Sequence, residues 1–248
     1  MPGLQIVKAT KKDAKARMAL LGPTGSGKTF TALEIALGLA GIERMDPRIF
    51  DLIGVIDTEH KSSEKYVDIF GEFAAVHLDN YDPRRYIEAI EMLARAGYKV
   101  IIIDSLSHAW AGKGGALELK DRATAQNGGN SYTAWAKVTP LQNQLIDTII
   151  ACPSHVIATM RTKMDHVQEQ DARGRTVVRK IGMGAVQRDG VEYEFDVVGE
   201  LDIDNVMTIT KTRNPSFKGL ALVEPTRAFG RDLAAWLAGP VAQGENVV

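Results

Sequence analysis

The residues best equipped for chemistry lie together in one octapeptide, Gly22-Pro23-Thr24-Gly25-Ser26-Gly27-Lys28-Thr29. Its glycines let successive backbone N–H groups turn toward one point and make a concave anion site. A lysine and a hydroxyl directly after the last glycine suit a polyphosphate, with Lys28 contacting the β and γ phosphates and Thr29 holding a magnesium ion. The spacing is that of the P-loop, G-x-x-x-x-G-K-[ST], which requires a strand running in and a helix running out. Segment 17–21 (RMALL) reads as the strand. TFTALEIALGLAG reads as the helix, with Leu33, Ala36, Leu37 and Ala40 on one face and Gly41 as its stop. Gly22, Pro23, Thr24, Gly25, Ser26, Gly27, Lys28, Thr29 and Phe30 are therefore the candidate nucleotide contacts, with ATP and Mg2+ as ligands.

Two apolar runs end in acids. Val100–Ile103 leads to Asp104 and Ser105, which places a carboxylate at the end of a central strand, where a magnesium-ordering acid is needed. Capping of a following helix is the alternative role for Asp104. The run GVIDTEH supplies Asp57 and Glu59, and Glu59 is either the acceptor that orients an attacking water or a solvated loop acid.

Around these residues, apolar runs and helical patterns alternate as in βαβ units, so the expected fold is α/β with a mainly parallel sheet flanked by helices. Strands are expected at 17–21, 50–57, 74–78, 99–104 and 155–160, and an antiparallel pair at 191–201 and 205–212 forms the C-terminal edge. Helices are expected near 62–70, after Asp82-Pro83, at 132–151 and at 231–238. The stretch 111–131 reads as a long loop with room for one short helix, and 161–190 reads as irregular. Residues 1–16 form a lead-in, 17–238 the core and 239–248 a tail.

With 45% apolar and 25% charged residues the chain can bury a full core, and a net charge of −1 means that any polyanion must be met by a local patch. The single Cys152 excludes an internal disulfide framework. No apolar run approaches a membrane span, and a cytoplasmic location is expected. His60, His108 and His155 are too dispersed for a metal site by spacing, and Trp110, Tyr132 and Trp135 either stack on bases or pack in the core.

GPTGSGKT, VIDTEH, IIDSLSHAW and VIATMR, in that order, resemble the RecA-type ATPase core, and most closely the short, core-only RecA-like ATPases of phages. The resemblance covers residues 17 to 223 and implies a RecA-like P-loop fold. It implies that Glu59 activates water, that Asp104 belongs to the magnesium site, and that Tyr66 either stacks on adenine or packs in its helix. It also implies two DNA-binding loops, at 111–131 and 163–185. The second carries Lys163, Arg173, Arg175, Arg179, Lys180 and, at its flank, Arg188, which suit a phosphate backbone. Lys211 and Arg213 match a cationic pair that enters a neighbouring subunit's ATP site, or are edge-strand cations.

The chain departs from that pattern where RecA has a glutamine sensor. Met160 stands there, leaving Thr159 or Arg161 to report on nucleotide. The expected function is an ATPase that binds single-stranded DNA in phage-type recombination, annealing or repair, inside an infected host. It would act as a homo-oligomer with ATP at subunit interfaces, with a recombination or single-strand-binding protein as a further partner. The alternatives are a nucleotide-switched mediator with little turnover and a small-molecule P-loop kinase.

Overall fold

The computed structural model describes residues 11, 14–170 and 176–239. Strand β1 (Arg17–Gly22) feeds helix α1 (Lys28–Ala40), and a short helix α2 (Ile49–Leu52) precedes β2 (Ile53–Asp57). A turn of 3-10 helix (Ser63–Tyr66) runs into α3 (Val67–Phe70) and β3 (Ala74–His77), followed by α4 (Pro83–Arg95) and β4 (Val100–Asp104). Three helices then follow in succession, α5 (Ser107–Ala111), α6 (Ala116–Gln126) and α7 (Ser131–Ala151). The chain closes with β5 (His155–Gln170), β6 (Thr176–Ala185), β7 (Val197–Leu201), β8 (Val206–Thr212), β9 (Ala221–Val223) and α8 (Arg227–Ala238).

The nine strands form one sheet in the order β3-β2-β4-β5-β1-β7-β8-β9, with β6 paired to β5 alone. All pairings from β3 across to β7 are parallel, whereas β7–β8, β8–β9 and β5–β6 are antiparallel. This is the α/β architecture expected from the sequence, including the antiparallel C-terminal edge.

Side chains of β1 alternate between two cores. Met18 and Leu20 pack with α1 and α8, while Ala19 and Leu21 face the layer of α4 and α7. A parallel strand covered on both faces has no polar side, which is why RMALL is apolar at nearly every position. Helix α1 is buried all round from Thr31 to Ala40, so the single apolar face expected for it is a correction: it lies between the sheet and α8. That placement explains Gly38 and Gly230, which meet backbone to backbone. A Cβ on Gly38 would stand 2.1 Å from the Arg227 carbonyl oxygen, and one on Gly230 would stand 2.2 Å from that of Ile35. Beneath this crossing the buried Glu34 accepts hydrogen bonds from Arg44 Nε at 2.6 Å and from the Arg227 amide at 2.8 Å.

Several expected boundaries differ. Residues 49–52 form α2, not the start of a strand, since half-exposed Phe50 lies outside the sheet. The stretch 111–131 holds α6, whose charged sequence forms a helix packed on α7. Helix α7 itself starts at Ser131 under an Asn130 cap and passes through Pro140. The stretch 161–190, expected to be irregular, is mostly a hairpin. Strand β5 continues past the sheet to Gln170 and β6 returns along it, because backbone pairing needs no apolar alternation. Residues 191–194 are a 3-10 turn before β7, the closing helix begins at Arg227, and β9 adds a strand that had not been expected.

The α1–α8 crossing gives a direct test. Gly38→Ala is expected to lower unfolding free energy by about 1–3 kcal/mol through overpacking, measured by urea denaturation. An unchanged midpoint would mean that the helices do not touch at their backbones.

Candidate nucleotide site

Strand register brings the relevant residues to one edge of the sheet. Gly22 at the end of β1 pairs with Arg161 on β5, Ile103 on β4 pairs with Ala158 on β5, and Asp57 on β2 pairs with Asp104 on β4. Strand β5 therefore lies between the P-loop strand and the Asp104 strand. A cavity of about 290 Å³ opens there, lined by Thr24, Gly25, Gly27, Lys28, Thr29, Glu59, Ser62, Tyr66, Asp104 and Arg161.

Helix α1 begins with no side-chain cap and no acid in its first turn, so its leading N–H groups and its dipole are free to face an anion. Gly27 holds φ +79 at the cap position, a left-handed conformation that favours glycine, with Asn205 Oδ1 where a Cβ would need to be. The Ser26 hydroxyl is buried without a hydrogen-bond partner. Lys28 Nζ donates to the carbonyl oxygens of Gly22 at 2.9 Å and Pro23 at 2.6 Å. Burial holds its pKa below the usual lysine value, with Asp104 and Glu59 opposing and Arg161 reinforcing that shift. Free amides, an unpartnered hydroxyl and a half-desolvated cation at one concave junction fit a polyphosphate.

Asp104 is 2% exposed. Its two oxygens accept hydrogen bonds from hydroxyls on different elements, Thr29 Oγ1 on α1 at 2.7 Å and Thr159 Oγ1 on β5 at 2.6 Å. Burial pushes its pKa up, and the two hydroxyls partly offset that. A hydroxyl and a carboxylate in contact are the hard oxygen donors that Mg2+ takes when phosphates and waters supply the rest, so Thr29 and Asp104 would hold it.

Glu59 faces the same cavity on a loop built by Asp57. The fully buried Asp57 accepts from the amides of Glu59 at 2.8 Å, Lys61 at 3.2 Å and Ser63 at 3.1 Å. This holds His60 and Lys61 at positive φ, 54° and 63°. Both oxygens of Glu59 are held by Arg161. Its Nε donates to Oε1 at 3.1 Å and its Nη2 donates to Oε2. Arg161 thus reaches the site where the sequence left the sensor position in question, while Met160 is fully buried in the core. The organising role of Asp57 was missed, although an Asp two residues before an amide-rich turn is the signal that could have shown it.

Tyr66 borders the cavity and also packs edge-on against Phe30 at 5.9 Å, with Phe70 and the Arg44 guanidinium behind them. Lys211 and Arg213 lie at the opposite end of the sheet. Lys211 pairs with Val198 on β7, level with Ala19 in β1, and its Nζ donates to the carbonyls of Tyr193 and Phe195. Arg213 Nε is 2.7 Å from Asp196 Oδ1. Lys163 is exposed at the foot of the hairpin, and exposed Arg188 donates to Asn143 at 2.7 Å. Arg179 and Lys180 lie on β6, with side chains outside the described residues; Arg173 and Arg175 lie outside them altogether. Trp110 and Trp135 stack on each other at 5.6 Å, while Tyr132 is 86% exposed.

A parallel α/β sheet with this loop at its strand ends defines a P-loop nucleoside triphosphatase. The chain belongs to the AAA domain family, whose match spans residues 14–231. Among solved structures it is similar to a KaiC-like protein from the hyperthermophilic archaeon Pyrococcus horikoshii OT3, at 19% identity over 84% of each chain and a TM-score of 0.46. No curated protein sequence matches it.

Loss of a phosphate-contacting cation should weaken binding while leaving the fold intact. Lys28→Ala is expected to reduce ATP affinity by about 10- to 100-fold by titration calorimetry, the equivalent of one charge-assisted hydrogen bond or more. Unchanged affinity would sink the assignment of Lys28.

Proposed function

We propose that the chain is a magnesium-dependent ATPase that assembles head to tail and is stimulated by single-stranded DNA, in a recombination, annealing or repair role. The observation that carries this reading is the Arg161–Glu59 pair, because Arg161 stands at the foot of the β5–β6 hairpin and Glu59 faces the P-loop cavity. In this reading Lys28 and the first amides of α1 hold the β and γ phosphates, while Thr29 and Asp104 place the magnesium ion, which neutralises phosphate charge. Glu59 accepts the proton of the attacking water.

A carboxylate gripped on both oxygens by a guanidinium is a poor base, so Arg161 restrains turnover until it moves. The basic residues of the hairpin give DNA a handle on that movement. Turnover of ATP is therefore expected to rise several-fold with single-stranded DNA and to lose that rise as salt increases. If DNA neither binds nor changes turnover, the DNA part of the proposal fails.

Counted along β1 at ~3.3 Å per residue, Lys211 is about 10 Å and Arg213 about 17 Å of strand away from their own P-loop. They are accordingly assigned to a neighbour's phosphates, as trans-acting cations. Mixing Lys28→Ala protein with a Lys211→Ala/Arg213→Ala variant, each inactive alone, should restore part of the turnover, since some junctions then hold an intact P-loop and an intact cation pair. No recovery would rule out action in trans. The same grip of Arg161 on Glu59 also favours a second reading, a nucleotide-switched mediator with little hydrolysis, in which Glu59→Gln leaves the measured turnover unchanged.

A further inference from the structure

His108 lies on α5, one turn beyond Asp104, and its ring is lodged between Tyr81, Thr58 and Glu59. The imidazole stacks on Tyr81 at 4.8 Å, its Nδ1 is 2.8 Å from Thr58 Oγ1, and its Nε2 is 3.9 Å from Glu59 Oε1. Thr58 is fully buried, and its hydroxyl oxygen already accepts the Ser105 amide proton at 2.8 Å. The one hydroxyl proton has two acceptors in reach, His108 Nδ1 at 2.8 Å and the Ser105 carbonyl at 3.3 Å. The placement of Nε2 toward the Glu59 carboxylate favours donation to Nδ1. A hydroxyl donating to Nδ1 leaves the ring proton on Nε2, the nitrogen that faces a carboxylate, and this tautomer also avoids setting a ring lone pair against Glu59.

We propose that His108 is a positioning residue for Glu59, an inference that rests on the hydrolytic reading of Glu59 above. Glu59 Oε1 faces two donors, Arg161 Nε and His108 Nε2, whereas Oε2 faces Arg161 alone. When Arg161 lets go, Oε2 is freed to accept a proton from water. Oε1 then keeps one donor on a ring fixed by Thr58 and Tyr81, and a small rotation or a single bridging water closes the 3.9 Å gap. Without His108 the carboxylate would be anchored only through its own loop backbone and would point in several directions. The Thr58–His108–Glu59 chain thus sets the aim of the base and does not touch nucleotide itself.

The test is steady-state ATP turnover, with melting temperature, for His108→Ala, His108→Gln and Glu59→Gln in the full-length protein. His108→Ala is expected to lower kcat by about 10- to 100-fold, the cost of a reacting group displaced by about an ångström, with KM for ATP and melting temperature unchanged. His108→Gln, whose side-chain amide can donate from near the Nε2 position, should recover part of the loss. A wild-type kcat in His108→Ala beside a Glu59→Gln variant that has lost turnover overturns the role of His108 and leaves that of Glu59 standing. A lowered kcat that comes with a lowered melting temperature and is not repaired by glutamine makes His108 a packing residue and overturns the proposal too. Undiminished turnover in Glu59→Gln removes instead the reading on which it rests.

Discussion

A buried carboxylate holds this site together. Asp104 sits at the end of the strand that shares β5 with the P-loop strand, and it is reached from α1 by Thr29 and from β5 by Thr159. Removing a carboxylate from water costs several kcal/mol unless donors or a cation replace the lost solvation. Two hydroxyls do part of that work, which is why the pKa of Asp104 still stands above its usual value. The remaining deficit favours a cation, and Lys28 and a divalent ion are the two that the geometry can bring. The same carboxylate therefore fixes the relation of helix to sheet and sets the electrostatic demand of the cavity.

The parts of this arrangement that were legible in the sequence are those encoded by local chemistry. Phosphate binding by backbone amides requires glycine at set spacings, and a strand that ends in an acid after four apolar residues can be read directly, so Gly22–Thr29 and Asp104 stood out. The Arg161–Glu59 pair was not legible as a pair. The two residues are 102 positions apart, and only the insertion of β5 between β1 and β4 brings them to one edge. The hairpin was misread for a related reason. Beyond Arg161 the strand pairs with β6 alone, so its ladder is satisfied without the apolar alternation by which strands are recognised. The full length of helix α6 was obscured because Gly and Asn signal turns locally, whereas packing on α7 overrides that signal here.

Glu59 shows how a local device can be both visible and incomplete. Its presence after a strand was plain, yet its orientation depends on Asp57 gathering three amides of the following turn and on the Arg161 guanidinium from β5. A flexible carboxylate on a surface loop would spread over many orientations and contribute little to proton transfer, because rate depends steeply on the geometry of the reacting pair. The turn with two non-glycine residues at positive φ is the cost of holding that acid in one place.

The two ends of the sheet are chemically unlike. The carboxyl ends of the parallel strands collect the P-loop, Asp104 and Glu59, while the far end of β8 carries Lys211 and Arg213. A head-to-tail contact sets one copy's cations against the next copy's phosphates at every junction, and such contacts either close into a ring or continue as a filament. Lys211 and Arg213 are at present held by the carbonyls of Tyr193 and Phe195 and by Asp196 of their own chain. On the proposed reading, nucleotide in the neighbouring copy must compete with these internal partners. A triphosphate carries more negative charge than a lone aspartate and two carbonyls, so its arrival favours transfer of the cations, and hydrolysis with release of the γ phosphate weakens that hold. Assembly would then follow the nucleotide state through charge alone, without any change in the fold of the sheet.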